Sequence, residues 1–205
     1  MIPRRMREED MKDFIFIIGP SGVGKTTLAR GLFEHYRGVY FEQNMIPEFG
    51  IPEGVDEGKF EEEVMWEGSL ALLRFFREKG FRNVVAADFN DLRTREIPRL
   101  FRGTDFITIK LVSSDYRQNL SQMLERDQGG LVDPKLLRES TEKIMNRPLL
   151  PGEVLLDVAG KSPEEVLSAA ISLIDGFESP KEYEYAEPGK EQFYSWVWSD
   201  GLRTR

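Results

Sequence analysis

The chain has 205 residues, of which 40% are apolar and 31% charged, a balance that fits one globular domain with a short appendage and not a disordered chain. It has no cysteine and a single histidine, His35, which excludes a disulfide framework, a thiolate metal site, a cysteine nucleophile, a histidine-based triad and a multi-histidine metal site. The formal charge of −8 and the lack of a basic stripe speak against nucleic acid as a partner.

Residues 1–12 read as an N-terminal extension in which arginines mix with acids. Phe14 to Ile18, "FIFII", is short, apolar and β-branched, and Gly19 ends it, so it predicts a buried strand. It is too short for a membrane span or the core of a signal peptide, and a cytoplasmic protein is expected. A helical pattern covers Thr26 to Tyr36, with His35 near its C-terminal end. "GVYF" (38–41) predicts a second strand, followed by a long acidic loop rich in Pro and Gly over 42–59.

Phe60 to Lys79 predicts a long helix with Met65, Trp66, Ser69, Leu70, Leu72, Leu73 and Phe76 on one broad face. "NVVAAD" (83–88) predicts the third strand. A helix from Asp91 to about Phe101 follows, with Pro98 expected to kink it. "FITIKLV" (106–112) predicts the fourth strand and "EVLLDV" (153–158) the fifth. Between them lie a helix over Asp115–Gln128 and another capped by Asp133, with Pro134 in its first turn. "SPEEVLSAAISLI" opens with a capping box of Ser162 and Glu165. Five alternations of strand and helix predict an α/β fold: a five-stranded parallel sheet flanked by helices, with ligands at the carboxyl ends of the strands.

Gly19-Pro20-Ser21-Gly22-Val23-Gly24-Lys25-Thr26 matches G-x-x-x-x-G-K-[ST] at every fixed position. Glycines at these places let successive backbone N–H groups curl around an anionic oxygen, and the following helix adds its positive end. Lys25 then reaches the β- and γ-phosphates, Thr26 ligates Mg²⁺, and Thr27 continues the first turn beside the phosphates. ATP with Mg²⁺ is the expected ligand, with GTP as the alternative.

Asp88 ends the third strand, where an acid serves as a Mg²⁺ ligand or as catalytic base; its plain alternative is a helix cap. Glu42 ends the second strand, where it either activates an acceptor hydroxyl or merely begins the loop. Asn90, Arg93 and Arg95 follow Asp88 as candidates to orient an acceptor, against the plain reading of a solvated helix face for the arginines. Arg117 and Arg126 fall on the helix after strand four, and "DQGG" after Arg126 reads as a hinge. A lid over about 115–147 carrying such an arginine, with Arg138 and Arg147 as further candidates, would place a cation over the transferring phosphoryl group.

Residues 13 to about 175 resemble the P-loop kinases of small molecules, the group of shikimate, gluconate, adenylylsulfate and nucleotide kinases. "GPSGVGKTTLA" carries the likeness at one end and "LLDVAGKSPEEVLSAAISLI" at the other. The resemblance implies that Ala159, Gly160 and Lys161 lie against the adenine. "VVAADFND" is similar to the turn found in polynucleotide-kinase-like and zeta-toxin-like branches, which implies that Glu42 is the base, although those relatives usually carry aspartate there. The glycine triplet of shikimate kinases and the substrate loops of guanylate kinases are missing.

The expected activity is an ATP- and Mg²⁺-dependent transfer of the γ-phosphate to a small-molecule hydroxyl or phosphate. The alternatives are a nucleoside monophosphate kinase and a nucleotide-dependent switch or interaction protein. From about Gly176 the alternation breaks, leaving a tail over 176–205. In "EQFYSWVWSD", Tyr194, Trp196 and Trp198 recur at period two, an edge strand whose aromatic face suits the domain's own surface or a homodimer.

Overall fold

The computed structural model describes residues 11–89, 91–115, 117 and 134–186. Five apolar segments pair into one parallel sheet: β1 (Phe14–Ile18), β2 (Val39–Glu42), β3 (Val84–Ala87), β4 (Phe106–Val112) and β5 (Glu153–Asp157). Their spatial order is β2-β3-β1-β4-β5. From β1 the chain passes to the edge at β2, returns to β3 between them, and then adds β4 and β5 on the other side. The direction of strand addition therefore switches beside β1, and ligands in open parallel sheets bind at such a switch.

Strand alternation divides the apolar side chains between two cores. Ile15, Ile17, Val85, Ala87, Ile107, Ile109 and Leu111 meet Leu28, Ala29 and Leu32 of α1 (Lys25–Tyr36) and Val166, Ala170 and Ile174 of the last helix. Phe14, Phe16, Val84, Ala86 and Phe106 meet Trp66, Leu70 and Leu73 of α2 (Glu57–Glu78) on the other face. Phe101 stands edge-on to both Phe14 and Phe16, with ring centroids 4.8 Å apart in each pair. His35 is exposed in the last turn of α1.

Three elements depart from the sequence-based expectation. α2 starts at Glu57, three residues before the expected Phe60, because Asp56 accepts a hydrogen bond from the Lys59 backbone N–H at 3.1 Å and caps the helix. The long loop before it opens with a 3₁₀ turn at Gln43–Met45. The single helix expected over 91–101 is two short ones, α3 (Asp91–Thr94) and α4 (Ile97–Leu100). Pro98 therefore does not kink a helix; it occupies the first turn of α4, where its missing N–H needs no partner, and the break falls upstream at Arg95 and Glu96.

Of the expected lid, α5 (Pro134–Asn146) is described; apart from Asp115 and Arg117, residues 115–133 lie outside the described residues, as do residues 1–10 and 187–205. The last helix, α6 (Pro163–Asp175), opens with the expected reciprocal cap. The Ser162 hydroxyl accepts from the Glu165 N–H at 3.2 Å, and the Glu165 carboxylate accepts from the Ser162 N–H at 2.8 Å. Ser162→Ala is expected to cost about 1 kcal/mol in a denaturant titration, and Ser162→Asp to cost much less because aspartate caps as well as serine.

Beyond α6 the chain forms a strap. Phe177 packs on the first core, and Ser179 Oγ lies 2.5 Å from Asp105 Oδ1 and 2.6 Å from the Phe106 carbonyl oxygen. The Tyr183 hydroxyl donates to the Pro98 carbonyl, Arg102 stacks on the Tyr183 ring at 5.0 Å, and the Tyr185 hydroxyl donates to the Arg95 carbonyl at 2.7 Å. The described part of the tail thus packs on its own domain, along the helices that follow β3.

Candidate active site

The loop from Gly19 to Gly24 joins the carboxyl end of β1 to the start of α1. Gly19 has φ 151°, and a Cβ there would stand 2.4 Å from the Leu111 carbonyl oxygen, so the loop passes β4 at a distance only glycine allows. Gly24 has φ 98° with nothing within 4 Å of an added Cβ, so its outer side faces open space. Val23 is buried and pins the loop to the first core, while Pro20 accepts from the Val23 N–H at 3.4 Å. Ser21 and Thr26 are half-buried, and Thr27 is exposed.

No side chain caps α1, and its first turn holds no acidic residue. Its leading N–H groups are thus left for an anion, as the arrangement of a phosphate cradle requires. Lys25 folds back over this mouth and donates to the carbonyl oxygens of Gly19 at 3.1 Å and Pro20 at 3.2 Å. Its Nζ is also 3.5 Å from Asp88 Oδ1. The donor set fits a magnesium nucleotide: a lysine, backbone N–H groups, a threonine hydroxyl and one carboxylate.

Three of the residues singled out from the sequence come together at this edge of the sheet. Glu42 pairs in register with Ala87, and Ala87 with Ile17, so Glu42, Asp88 and the phosphate loop end three neighbouring strands. Asp88 has φ 67°, in the left-handed region, and its carboxylate is about half exposed at 47%. A non-glycine residue held there is uncommon, although aspartate tolerates it better than most.

Glu42 is only 5% exposed. Its Oε2 accepts from the Asn44 side-chain amide at 3.3 Å, while its Oε1 is buried without a hydrogen-bond partner among the described residues. Two residues earlier, Tyr40 points to the same side of β2, with the Arg30 guanidinium 5.2 Å from its ring centroid. Burial, and then the neighbouring Glu42 carboxylate, push the Tyr40 phenol up to about 12. Tyr40 and Asn44 were not legible as site residues; their signal is the i±2 spacing about Glu42.

Beyond the carboxyl end of β5, Gly160 has φ 69° and open space around it, and Lys161 is exposed with Nζ donating to the Asp157 carbonyl at 2.7 Å. Asp157, at the end of β5, organises this turn. Its Oδ1 accepts from the backbone N–H groups of Ala159 at 3.0 Å and Ser114 at 3.1 Å. Burial alone would raise its pKa, but those N–H donors and the Lys161 charge hold it below the usual carboxylate value. An acid two residues before the turn it closes was the available signal.

Arg93 does not lie on a solvated face. It is 5% exposed, its guanidinium chelates both carboxylate oxygens of Glu62, and its Nη1 donates to Glu96 at 2.8 Å. The other oxygen of Glu96 accepts from the Trp66 indole at 3.0 Å, and Arg93 lies 5.7 Å from that ring's centroid. Burial works against its charge, but Glu62 and Glu96 outweigh that and raise its pKa above the ordinary arginine value.

Arg147 is likewise closed on internal partners. It clamps Asp91 at 2.8 Å and Glu153 at 2.7 Å, and its carbonyl accepts from Lys110 Nζ at 2.8 Å. Burial, followed by the Arg147 charge, lowers the pKa of Lys110. Arg95 approaches Asp91 at 3.9 Å. Arg117 and Arg138 are exposed, Arg138 donating to Glu142 at 2.7 Å. Asn90 and Arg126 lie outside the described residues.

Sheet order, parallel pairing and the loop at the end of the central strand give the chain the fold of the P-loop kinases, as expected from the sequence. No family model matches the chain. It is similar in structure to a gluconokinase from Sinorhizobium meliloti 1021, at 17% identity and TM-score 0.55, covering 78% of this chain and 90% of that one. It is also similar to a sugar kinase from Janibacter sp. HTCC2649, at 19% identity and TM-score 0.55, over 79% and 94%. A third likeness, at 16% identity and TM-score 0.51 over 79% and 95%, is to the YorR protein of Bacillus subtilis, solved in complex with phosphorylated GDP. Among the described residues no helix is long and apolar enough to cross a membrane.

Proposed function

We propose that the protein is an ATP- and Mg²⁺-dependent kinase that moves the γ-phosphate to a small acceptor held beside Glu42. The observation that carries this reading is the ion pair of Lys25 with Asp88 across the mouth of an uncapped phosphate loop. The kinase names of the structural neighbours agree with it.

The loop N–H groups and the start of α1 bind the phosphates, and Lys25 turns from Asp88 and the loop carbonyls to the β- and γ-oxygens. Thr26 and Asp88 would hold the metal, which when bound would neutralise charge on the phosphates. Asp157 keeps the Ala159–Lys161 turn in place against the base. Glu42, desolvated and with one oxygen unengaged, accepts the acceptor's proton. An arginine from the 115–133 segment, Arg117 or Arg126, covers the transferring group.

The test is release of ADP from ATP and Mg²⁺ over a panel of hydroxyl and phosphate acceptors, with binding of ATP measured separately. Turnover raised by one acceptor class establishes the kinase. ATP binding with no stimulation by any acceptor overturns it. Glu42→Gln is expected to lower kcat with the active acceptor by roughly 10²–10⁴-fold while leaving the Kd for ATP unchanged, since it removes the proton acceptor and no phosphate contact.

A further inference from the structure

At the amino end of the sheet, away from the phosphate loop, lies a cavity of about 510 Å³. That size falls in the range of small-molecule sites, roughly 300–1,000 Å³. Its apolar lining includes Phe14 at the start of β1 and Leu100 at the end of α4. Arg74 and Arg77 of α2, and Arg82 just past it, line the cavity as well. The five residues of β1 lead from here to Gly19, so about 16 Å of strand separates the cavity from the phosphate loop.

Three arginines meet two acids in this lining, Asp13 and Glu78, a local positive excess on a chain whose formal charge is −8. Asp13 is already answered within the chain. Its Oδ1 lies 3.3 Å from Arg82 Nε and 3.5 Å from Arg77 Nε, and its Oδ2 accepts from the Asp105 N–H at 2.9 Å. Arg82 also donates through Nη2 to the Met11 carbonyl at 2.7 Å. Among the described residues the Arg77 guanidinium makes no hydrogen bond, and that of Arg74 makes neither a hydrogen bond nor an ion pair. The end of a helix presents carbonyls that repel an anion. Here those of Phe75, Phe76 and Arg77 already accept from the N–H groups of Lys79, Phe81 and Gly80.

An arginine fork takes phosphate or carboxylate through paired hydrogen bonds, and its flat guanidinium also stacks on rings. A bare ion would use the forks and leave the apolar lining uncovered. We infer that this cavity is a second ligand site, for a small organic anion: an aromatic or heterocyclic ring carrying one phosphate or carboxylate group. The charged group meets Arg74 and Arg77, and the ring covers the apolar lining beside them. None of these residues has a part in phosphoryl transfer, so the site stands apart from the kinase reading.

The experiment titrates phenyl phosphate into the full chain by calorimetry, with Mg²⁺ and a non-hydrolysable ATP analogue at saturation. One site per chain is expected, with a Kd about tenfold or more weaker in Arg74→Ala and in Arg77→Ala. Neither change strands a buried acid, because Asp13 keeps Arg82 and the Asp105 N–H; thermal melting checks that each variant is folded. Lys79→Ala removes a cation from the same helix end, one stacked on Phe75 outside the cavity lining, and is expected to leave the Kd unchanged.

Equal weakening in Lys79→Ala means diffuse attraction and overturns the site. So does an absence of binding, an unchanged Kd in the folded arginine variants, or displacement of phenyl phosphate by the ATP analogue. Benzyl alcohol, which has the ring without the charge, is expected not to bind at concentrations where phenyl phosphate saturates. Equal affinity for it overturns the anion, and equal affinity for inorganic phosphate overturns the ring.

Discussion

Lys25→Ala is expected to lower the rate of phosphoryl transfer by roughly 10²–10³-fold, the cost of removing one preorganised donor from a developing charge. The melting temperature is expected to move by no more than about 4 °C, because an ion pair with a half-exposed partner is worth at most about 1 kcal/mol in a chain of this size. The separation of the two readouts follows from where the ammonium sits. Without a nucleotide its ammonium lies against Asp88 and two loop carbonyls at the rim of the mouth. With one, on the function proposed above, it would lie against the β- and γ-phosphates. Single-turnover measurement at saturating ATP isolates this effect from any change in affinity. A variant that turns over at the wild-type rate would remove Lys25 from the chemistry.

Arg147→Ala has the opposite signature. It leaves Asp91 and Glu153 facing each other without their cation, and the Glu153 side chain is fully buried. Breaking a buried pair from one side is expected to cost about 3–5 kcal/mol. For a domain of this length that corresponds to a fall in melting temperature of about 6–20 °C. Urea unfolding checks it, with the midpoint shifting and the slope staying constant. Arg147→Lys restores charge but not the fork, so it should recover less than half of the loss. Loss of stability below about 1 kcal/mol would mean that Asp91 and Glu153 find other partners or water.

Much of the frame was legible because it is local. Each strand is a short apolar run, β1 cut off by glycine, β2 and β5 ending at an acid and β3 running into one, and the phosphate loop and the Ser162–Glu165 cap are spacings within a few residues. Helix starts were harder. Asp56 sits in "GVDEGK", where glycines on either side favour a loop reading, and only its bond to the Lys59 N–H decides for a helix. The roles of the arginines were the least legible. Arg93 meets Glu62 across 31 residues and Arg147 meets Asp91 across 56, so no local spacing marks either pair. An arginine near a phosphate loop and an arginine closing a buried clamp look identical in one dimension.

The strap from Phe177 to Tyr185 reaches partners far back in the chain: Phe106 lies 73 residues before Ser179, Pro98 85 before Tyr183, and Arg95 90 before Tyr185. Each partner belongs to β4, α4 or the turn between α3 and α4, structure that can assemble before the strap arrives. Contacts spanning so much sequence close late, and interactions absent from the folding transition state act on the exit rate. The strap is therefore a brake on unfolding more than a guide to folding. It sets how long the protein lasts rather than how quickly it is made.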